Sequence, residues 1–302
     1  MLRALLADIT RVGGLKVSIL RNPTLGSADL PIGTTIVPLH LHDSGEIVDG
    51  CIQEADAIWP LAPESNGVLE SISRKALQHN KTLLGSTPAA VHLAGSKYRT
   101  FQALRAAGVA VVPTYRAEAT LPSSSHAWVV KPDDGAGCSD TRIFSHSMAA
   151  KEWIAAQIKK DYVLQPYISG RPCSLSLLCG HRDVFVLGCN DQRVAMSDNQ
   201  FHDMGCTVNS IDDDNGELER LAQRVISSIP GMWGYVGIDF IVTDEGSAVV
   251  LEVNPRMTLS HAGLQASIGA NPAEMLVEML RNEHFEVSKP HKSRRVSVDV
   301  NA

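Results

Sequence analysis

The sequence predicts an α/β protein: an open, mostly parallel N-terminal sheet domain followed by β-rich lobes of mixed α and β character. Three observations predict it. Short β-like runs alternate with helical patterns through the first 95 residues, as expected for strands joined by crossover helices. From residue 128 onward the β runs come in pairs, as hairpins do. Two of those pairs place charged or polar side chains where a packed sheet has no use for them, Lys131 in one and Asp239, Glu252 and Asn254 in the other. A length of 302 residues allows two or three subdomains with real cores. The expected divisions are 1–95, 96–172, 173–285 and a tail at 286–302.

Element by element, 2–7, 16–20, 35–39 and 57–61 read as strands. Val68, Leu69, Ile72, Ala76 and Leu77 recur at helical spacing after Asn66, and 81–84 returns to strand. In an open parallel sheet the loops at the C-terminal strand ends face the ligand, and loop 60–67 is one of these. Ser96 caps a helix to about Ala107, stopped by Gly108 with Pro113 beyond. The runs CSLSLLCG and DVFVLGC within 173–194 read as strands, and 217–229 as a helix. A hairpin covers 234–254. Asn271 caps a last helix with Pro272 in its first turn and Met275, Leu276, Met279 and Leu280 on its buried face.

The hairpin carries the sharpest chemistry. Glu252 and Asn254 are two positions apart, so along a strand they share a face, and the partner strand can bring Asp239 beside them. Two carboxylates and an amide oxygen suit a hard cation such as Mg²⁺ or Mn²⁺ carrying nucleotide phosphates. Arg256 follows as a fixed cation for a phosphoryl or carboxylate group. Upstream, a β run ends at Lys131, then Pro132-Asp133-Asp134-Gly135-Ala136-Gly137-Cys138-Ser139-Asp140 precedes a return strand. Small residues let backbone N–H groups approach phosphate oxygens, and the lysine adds a point charge. No Gly-Lys-Ser/Thr opens a helix here, which excludes the Walker loop. At 162–177 a strand, a short hinge and another strand follow, and Pro166 turns the hinge backbone towards ligand or solvent.

In that order, Lys97, Lys131 with its loop, the hinge from Gln165 to Gly170, Asp239, and Glu252-x-Asn254-x-Arg256 resemble the ATP-grasp superfamily over about residues 96–285. Ala62 to Glu70, NKTLLGS from Asn80, Gly95-Ser96-Lys97-Tyr98, Leu187-x-x-Asn190-x-Gln192 and Asn254-Pro255-Arg256-Met257-Thr258 look like the branch holding tyramine–glutamate ligases of methanofuran biosynthesis. The resemblance implies an ATP-grasp fold behind a pre-ATP-grasp domain, with ATP between two β-rich lobes. It implies a carboxylate activated by ATP as an acylphosphate and then joined to an amine. It places Lys97 and Lys131 on phosphates, and Gly135, Gly137 and Ser139 over the β and γ groups. Gln165, Tyr167 and Ile168 would meet the adenine edge, Asp239, Glu252 and Asn254 would hold Mg²⁺ or Mn²⁺, and Arg256 with Lys131 would serve catalysis. Many ATP-grasp enzymes carry Gly-Arg-Glu after the hinge, where this chain has Gly170-Arg171-Pro172, and Gln165 stands where Glu is more usual.

Substrate-facing candidates are Glu64, for an ammonium group or as a helix N-terminal charge, Arg171, for a carboxylate or as a brace for the hinge, and His261 with Ser260, lining an acceptor pocket. His202 and Asp203 lie in an expected flexible loop over the substrate, and His40 with His42 reads as a surface pair at a strand end.

A net charge of −6 argues against nucleic acid as a partner. The partners expected are ATP and small carboxylate and amine substrates, with a homodimer left open. The basic stretch 289–295 reads as a solvated, mobile tail. Six cysteines without C-x-x-C or zinc spacing read as small apolar fillers, Cys138 included. No signal peptide and no stretch apolar enough to span a membrane is seen, so a cytoplasmic location is expected. A different ATP-grasp amino-acid or dipeptide ligase, and a non-catalytic ATP-binding regulatory protein, stand as alternatives.

Overall fold

The computed structural model describes all residues except 26–29, 41–44, 123–126, 158–160, 283–284, 286–292 and 301–302. The chain opens with helix α1 (Leu2–Ile9), not the strand expected at 2–7. Leu2, Leu5, Leu6 and Ile9 have helical spacing, and Leu5 and Leu6 are buried, so a packed apolar face decided the conformation over a short β-like run. Strands β1 (Val17–Arg21) and β2 (Thr34–Pro38) pair in parallel. After α2 (Gly45–Glu54), β3 (Ala57–Ile58) pairs in parallel with β4 (Thr82–Leu83) across α3 (Val68–Gln78). The parallel connections are as expected. The single open sheet is not, because the four strands form two separate pairs. Pro60 ends β3 early by removing a ladder donor.

Helix α4 (Pro88–Ala94) begins at Thr87, whose hydroxyl accepts from the Ala90 N–H. Helix α5 (Lys97–Ala106) begins at Ser96, which accepts from the Arg99 N–H, and Gly108 at φ 68° follows as the stop. Strands β5 (Tyr115–Arg116), β6 (Trp128–Pro132), β7 (Arg142–Phe144) and β8 (Tyr162–Pro166), with α6 (Ser147–Ala155), form a small lobe around Trp128, Val130, Tyr162 and Leu164. Its sheet is continuous with a larger one made of β9 (Gly170–Cys179), β10 (Val184–Ser197), β11 (Gln200–Val208), β12 (Gly234–Thr243) and β13 (Ala248–Asn254). The order runs β13-β12-β9-β10-β11-β7-β6-β8-β5. His202 and Asp203, expected in a flexible loop over the substrate, therefore lie in strand β11, which joins the two lobes through the Gln200–Arg142 pair.

Helix α7 (Glu217–Ser227) packs Leu218, Leu221, Ala222 and Val225 into the core formed by one face of the large sheet. Helices α8 (His261–Ile268) and α9 (Pro272–Arg281) join α1 in the second core. Asn271 accepts from the N–H groups of Ala273 and Glu274, as its cap position predicts. Leu280 corrects one expectation: it is 45% exposed and outside the buried face. A second correction concerns the tail, where β14 (Val296–Asp299) pairs with β11 and the Arg294 N–H donates to Ser267 O at 2.9 Å. The alternation of Val296 and Val298 at the half-buried positions makes the strand possible. Residues 289–292 of the basic stretch lie outside the described residues. All six cysteines are free thiols. Among the described residues no helix is long and apolar enough to cross a membrane.

Candidate active site

Antiparallel register sets Asp239 opposite Glu252 and Gly237 opposite Asn254, so the three polar side chains share one face of the β12–β13 hairpin. Asp239 Oδ2 accepts from Asn254 Nδ2 at 3.1 Å, and Oδ1 accepts from Gln192 Nε2 at 2.8 Å. Lys97, 7% exposed at the start of α5, reaches Glu252 at 3.2 Å and donates to the Gly135 carbonyl at 2.7 Å. Lys131 on β6 lies close enough to feel the same carboxylate; burial lowers its pKa and Glu252 opposes the fall.

Charge is divided unevenly across this group. Burial would raise Glu252, but Lys97 and Lys131 outweigh it and hold the carboxyl below its ordinary range. Asp239 accepts from two neutral amides and lies against the Glu252 carboxyl, and burial together with Glu252 pushes it up to about 7. An acid raised in this way, beside a second carboxylate, is a site short of positive charge. The hard oxygens of Asp239, Glu252 and Asn254 therefore fit a divalent cation. Among the described residues no group of three His, Cys, Asp or Glu side chains could hold an ion by itself, so phosphate oxygens would complete the shell.

The small-residue loop is anchored at its base. Asp133 accepts from Ser96 Oγ at 2.7 Å and from the Tyr98 N–H at 2.9 Å, and pairs with Arg116 at 3.2 Å. Arg116 lies 4.7 Å over the Tyr98 ring. Asp134 accepts from the Asn66 N–H at 2.8 Å, while its carbonyl accepts from Ser65 Oγ at 2.9 Å. Beyond Gly135 the backbone turns left-handed at Gly137, Cys138 and Asp140, a conformation that aims successive N–H groups to one side. Ser139 is exposed on this turn. The Cys138 thiol is pushed up to about 11 by burial, then by Glu252 and Asp203, which makes it a poor nucleophile.

Glu64 and Arg256 meet. Arg256 Nε donates to Glu64 Oε2 at 2.9 Å, and both side chains are largely buried. Glu64 Oε1 is within ion-pair distance of the same guanidinium, yet it has no hydrogen bond among the described residues. Glu64 is thus tied to the arginine and keeps one acceptor to spare. In the hinge, Gln165 is buried and donates to Thr114 Oγ1 at 2.9 Å, Tyr167 is exposed, and Ile168 is half-buried.

Other candidates stand elsewhere. Arg171 forms a two-pronged pair with Asp191 on β10, which raises its pKa and makes it a brace for the hinge rather than a free carboxylate binder. His261 is sealed in the core, 3.0 Å from Asp8 of α1, and does not line a pocket. Ser260 is buried too, bonded to Ser176 Oγ at 2.7 Å and Thr258 Oγ1 at 2.9 Å. His202 bonds Ser197 within the β10–β11 hairpin, and Asp203 accepts from the Gly205 N–H. His42 lies outside the described residues.

Four contributors escaped the sequence. Asp133 was hidden because a cap for a helix starting at residue 97 comes from another element. Thr114, just before β5, and Ser174 in β9, whose hydroxyl accepts from Asn190 Nδ2, are short polar side chains with no signal in spacing. Gln192 stood in a quoted motif without a role.

A family of ATP-grasp domains matches residues 94–260, and a pre ATP-grasp 3 domain matches residues 15–91. The tyramine–L-glutamate ligase of Methanocaldococcus fervens is 26% identical over 233 residues, spanning 77% of this chain and 69% of that protein. An ATP-grasp superfamily protein from Archaeoglobus fulgidus superposes with a TM-score of 0.63 at 23% identity, over 88% of this chain and 82% of that one. An L-amino acid ligase from Bacillus licheniformis gives a TM-score of 0.73 at 17% identity, over 91% and 70%.

Proposed function

Because the chain belongs to the ATP-grasp family, we propose that it is an ADP-forming carbon–nitrogen ligase that activates a carboxylate of a glutamate-like amino acid and joins it to an amine, in the manner of tyramine–L-glutamate ligases. One observation carries the reading: a buried Lys97 and a half-buried Lys131 converge on Glu252 beside a charge-deficient Asp239, with Arg256 held next to the same hairpin. A structural ion pair needs one lysine; a nucleotide triphosphate needs both, and the cation that neutralises it.

In this reading Asp239, Glu252 and Asn254 hold Mg²⁺, with Mn²⁺ as a substitute. The ion supplies charge neutralisation of the phosphates when bound. Lys97 and Lys131 move from Glu252 to phosphate oxygens. The N–H groups of 135–139 close over the β and γ groups, and 165–168 meets the adenine edge. A carboxylate oxygen of the amino acid attacks the γ-phosphorus and ADP leaves. The amine then attacks the acyl carbon, loses its proton, and phosphate departs with the oxygen it gained. Arg256 faces the charge that develops in both steps, and the spare oxygen of Glu64 accepts from the substrate's ammonium group. Placement in the synthesis of a methanofuran-type one-carbon carrier belongs to the same proposal and rests on the likeness to tyramine–L-glutamate ligases.

The test is ADP release in a matrix of amino acids and amines. ADP formed only with glutamate and an amine present, and abolished by Glu252→Gln, supports the assignment. ADP formed with two amino acids would make it a dipeptide ligase. Tight ATP binding with no turnover in any combination would make it a regulatory protein.

A further inference from the structure

Gln192 stands on β10, two strands from β12, yet its amide reaches Asp239. Two strand spacings are roughly 9–10 Å, so the side chain crosses the intervening strand β9. The β9 residue alongside Asp239 is Ser174, which is also opposite Asn190 on β10. Its small side chain leaves the crossing open, and its hydroxyl is held by Asn190 Nδ2 at 3.3 Å. A larger residue at 174 would block the path.

Asp239 is thus clamped by two neutral amide donors, one on each oxygen. The neutrality matters: a lysine in either place would cancel the charge that attracts a cation. The two donors are not equivalent. Asn254 belongs to the proposed ligand set, and turning its carbonyl oxygen towards an ion swings its NH₂ group away from Asp239. Gln192 lies outside the proposed ligand set, so nothing requires its N–H to leave Asp239 Oδ1.

We propose that Gln192 is a positioning residue that fixes the plane of Asp239 for divalent-cation binding after Asn254 has turned to ligate. The proposal rests on the metal reading of the hairpin given above. Loss of a hydrogen bond to a ligating carboxylate weakens metal affinity by 10–100-fold as a rule.

The experiment is Mn²⁺ binding to the ADP complex, followed by the electron paramagnetic resonance signal of free Mn²⁺, in the full chain. Gln192→Met keeps length and volume without the donor, and Gln192→Asn keeps the donor on a stem too short to cross β9. Both are expected to weaken Mn²⁺ affinity by about tenfold, with ADP affinity in EDTA unchanged. If Gln192→Met does not fold, Gln192→Asn decides the question by the same readout. Mn²⁺ affinity within twofold of wild type in the folded variant, with Asp239→Asn still losing it, would overturn the proposal and leave the ligase reading intact. Unchanged affinity in Asp239→Asn would overturn both.

Discussion

At Lys131 burial and charge pull in opposite directions. Burial lowers the pKa of the ammonium, while Glu252 raises it. A triphosphate would relieve that tension by adding negative charge, so Lys131→Met should weaken ATP binding by about 1.5–3 kcal/mol, the worth of a charge-assisted hydrogen bond. Isothermal titration checks this, and unchanged affinity would make Lys131 a structural charge. The carboxylates give a pH prediction of known sign. Asp239 is raised to about 7 in the folded protein, so its contribution to stability is full below its unfolded value, about 4, and is lost as pH rises to about 7. Glu252 is lowered, so its contribution is present above about 4.5 and is lost only in more acid solution. Metal-free protein should therefore lose stability from pH 5 to 7.5, while protein saturated with Mg²⁺ and ADP should not. Thermal melts across that range, with and without ligand, measure the difference. Glu252, Asn254 and Asp239 were legible because strand periodicity and hairpin pairing put their side chains on a shared face, whereas Lys97, on helix α5, was visible only through the family resemblance. His261 was misjudged because its partner, Asp8, is distant in sequence, and for the same reason the sequence left Arg171 open between a carboxylate and the brace it forms with Asp191.

Among elements, strand β9 links the hinge to the large sheet and begins at Gly170. Its φ of 152° is one that side-chain-bearing residues rarely adopt, and a Cβ there would stand 2.3 Å from the Val242 carbonyl oxygen. Gly170→Ala should cost about 1–3 kcal/mol, read as a lowered urea midpoint with an unchanged slope. A loss below 0.5 kcal/mol would mean that the β9–β12 pairing yields readily. Helix caps were the most legible elements, since Ser96 and Asn271 act on backbone groups two or three residues away. The first helix and the last strand were not. Leu2–Ile9 is short enough for period 2 and period 3.6 to compete, and Val296–Asp299 becomes a strand only because β11 offers an edge.

For the molecule as a whole, the N-terminal part reaches the site through the loop that carries Glu64, Ser65 and Asn66. Asn66 and Ser65 hold Asp134 of the phosphate loop, and Glu64 holds Arg256, 192 positions away. Glu64→Gln should raise the KM for the amino acid at least tenfold, roughly 1.4 kcal/mol, because it removes the charge facing both the substrate ammonium and Arg256. The KM for ATP should change little. Equal effects on both would point to a folding defect, and no effect would leave Glu64 as a brace. The central claim is transfer of a carboxylate oxygen to phosphate, and its most direct measurement uses glutamate labelled with ¹⁸O in its carboxylates, together with ATP, Mg²⁺ and tyramine. The account predicts that each inorganic phosphate released carries one ¹⁸O atom and that ADP carries none. Label appearing in AMP, or phosphate released without label, would contradict it.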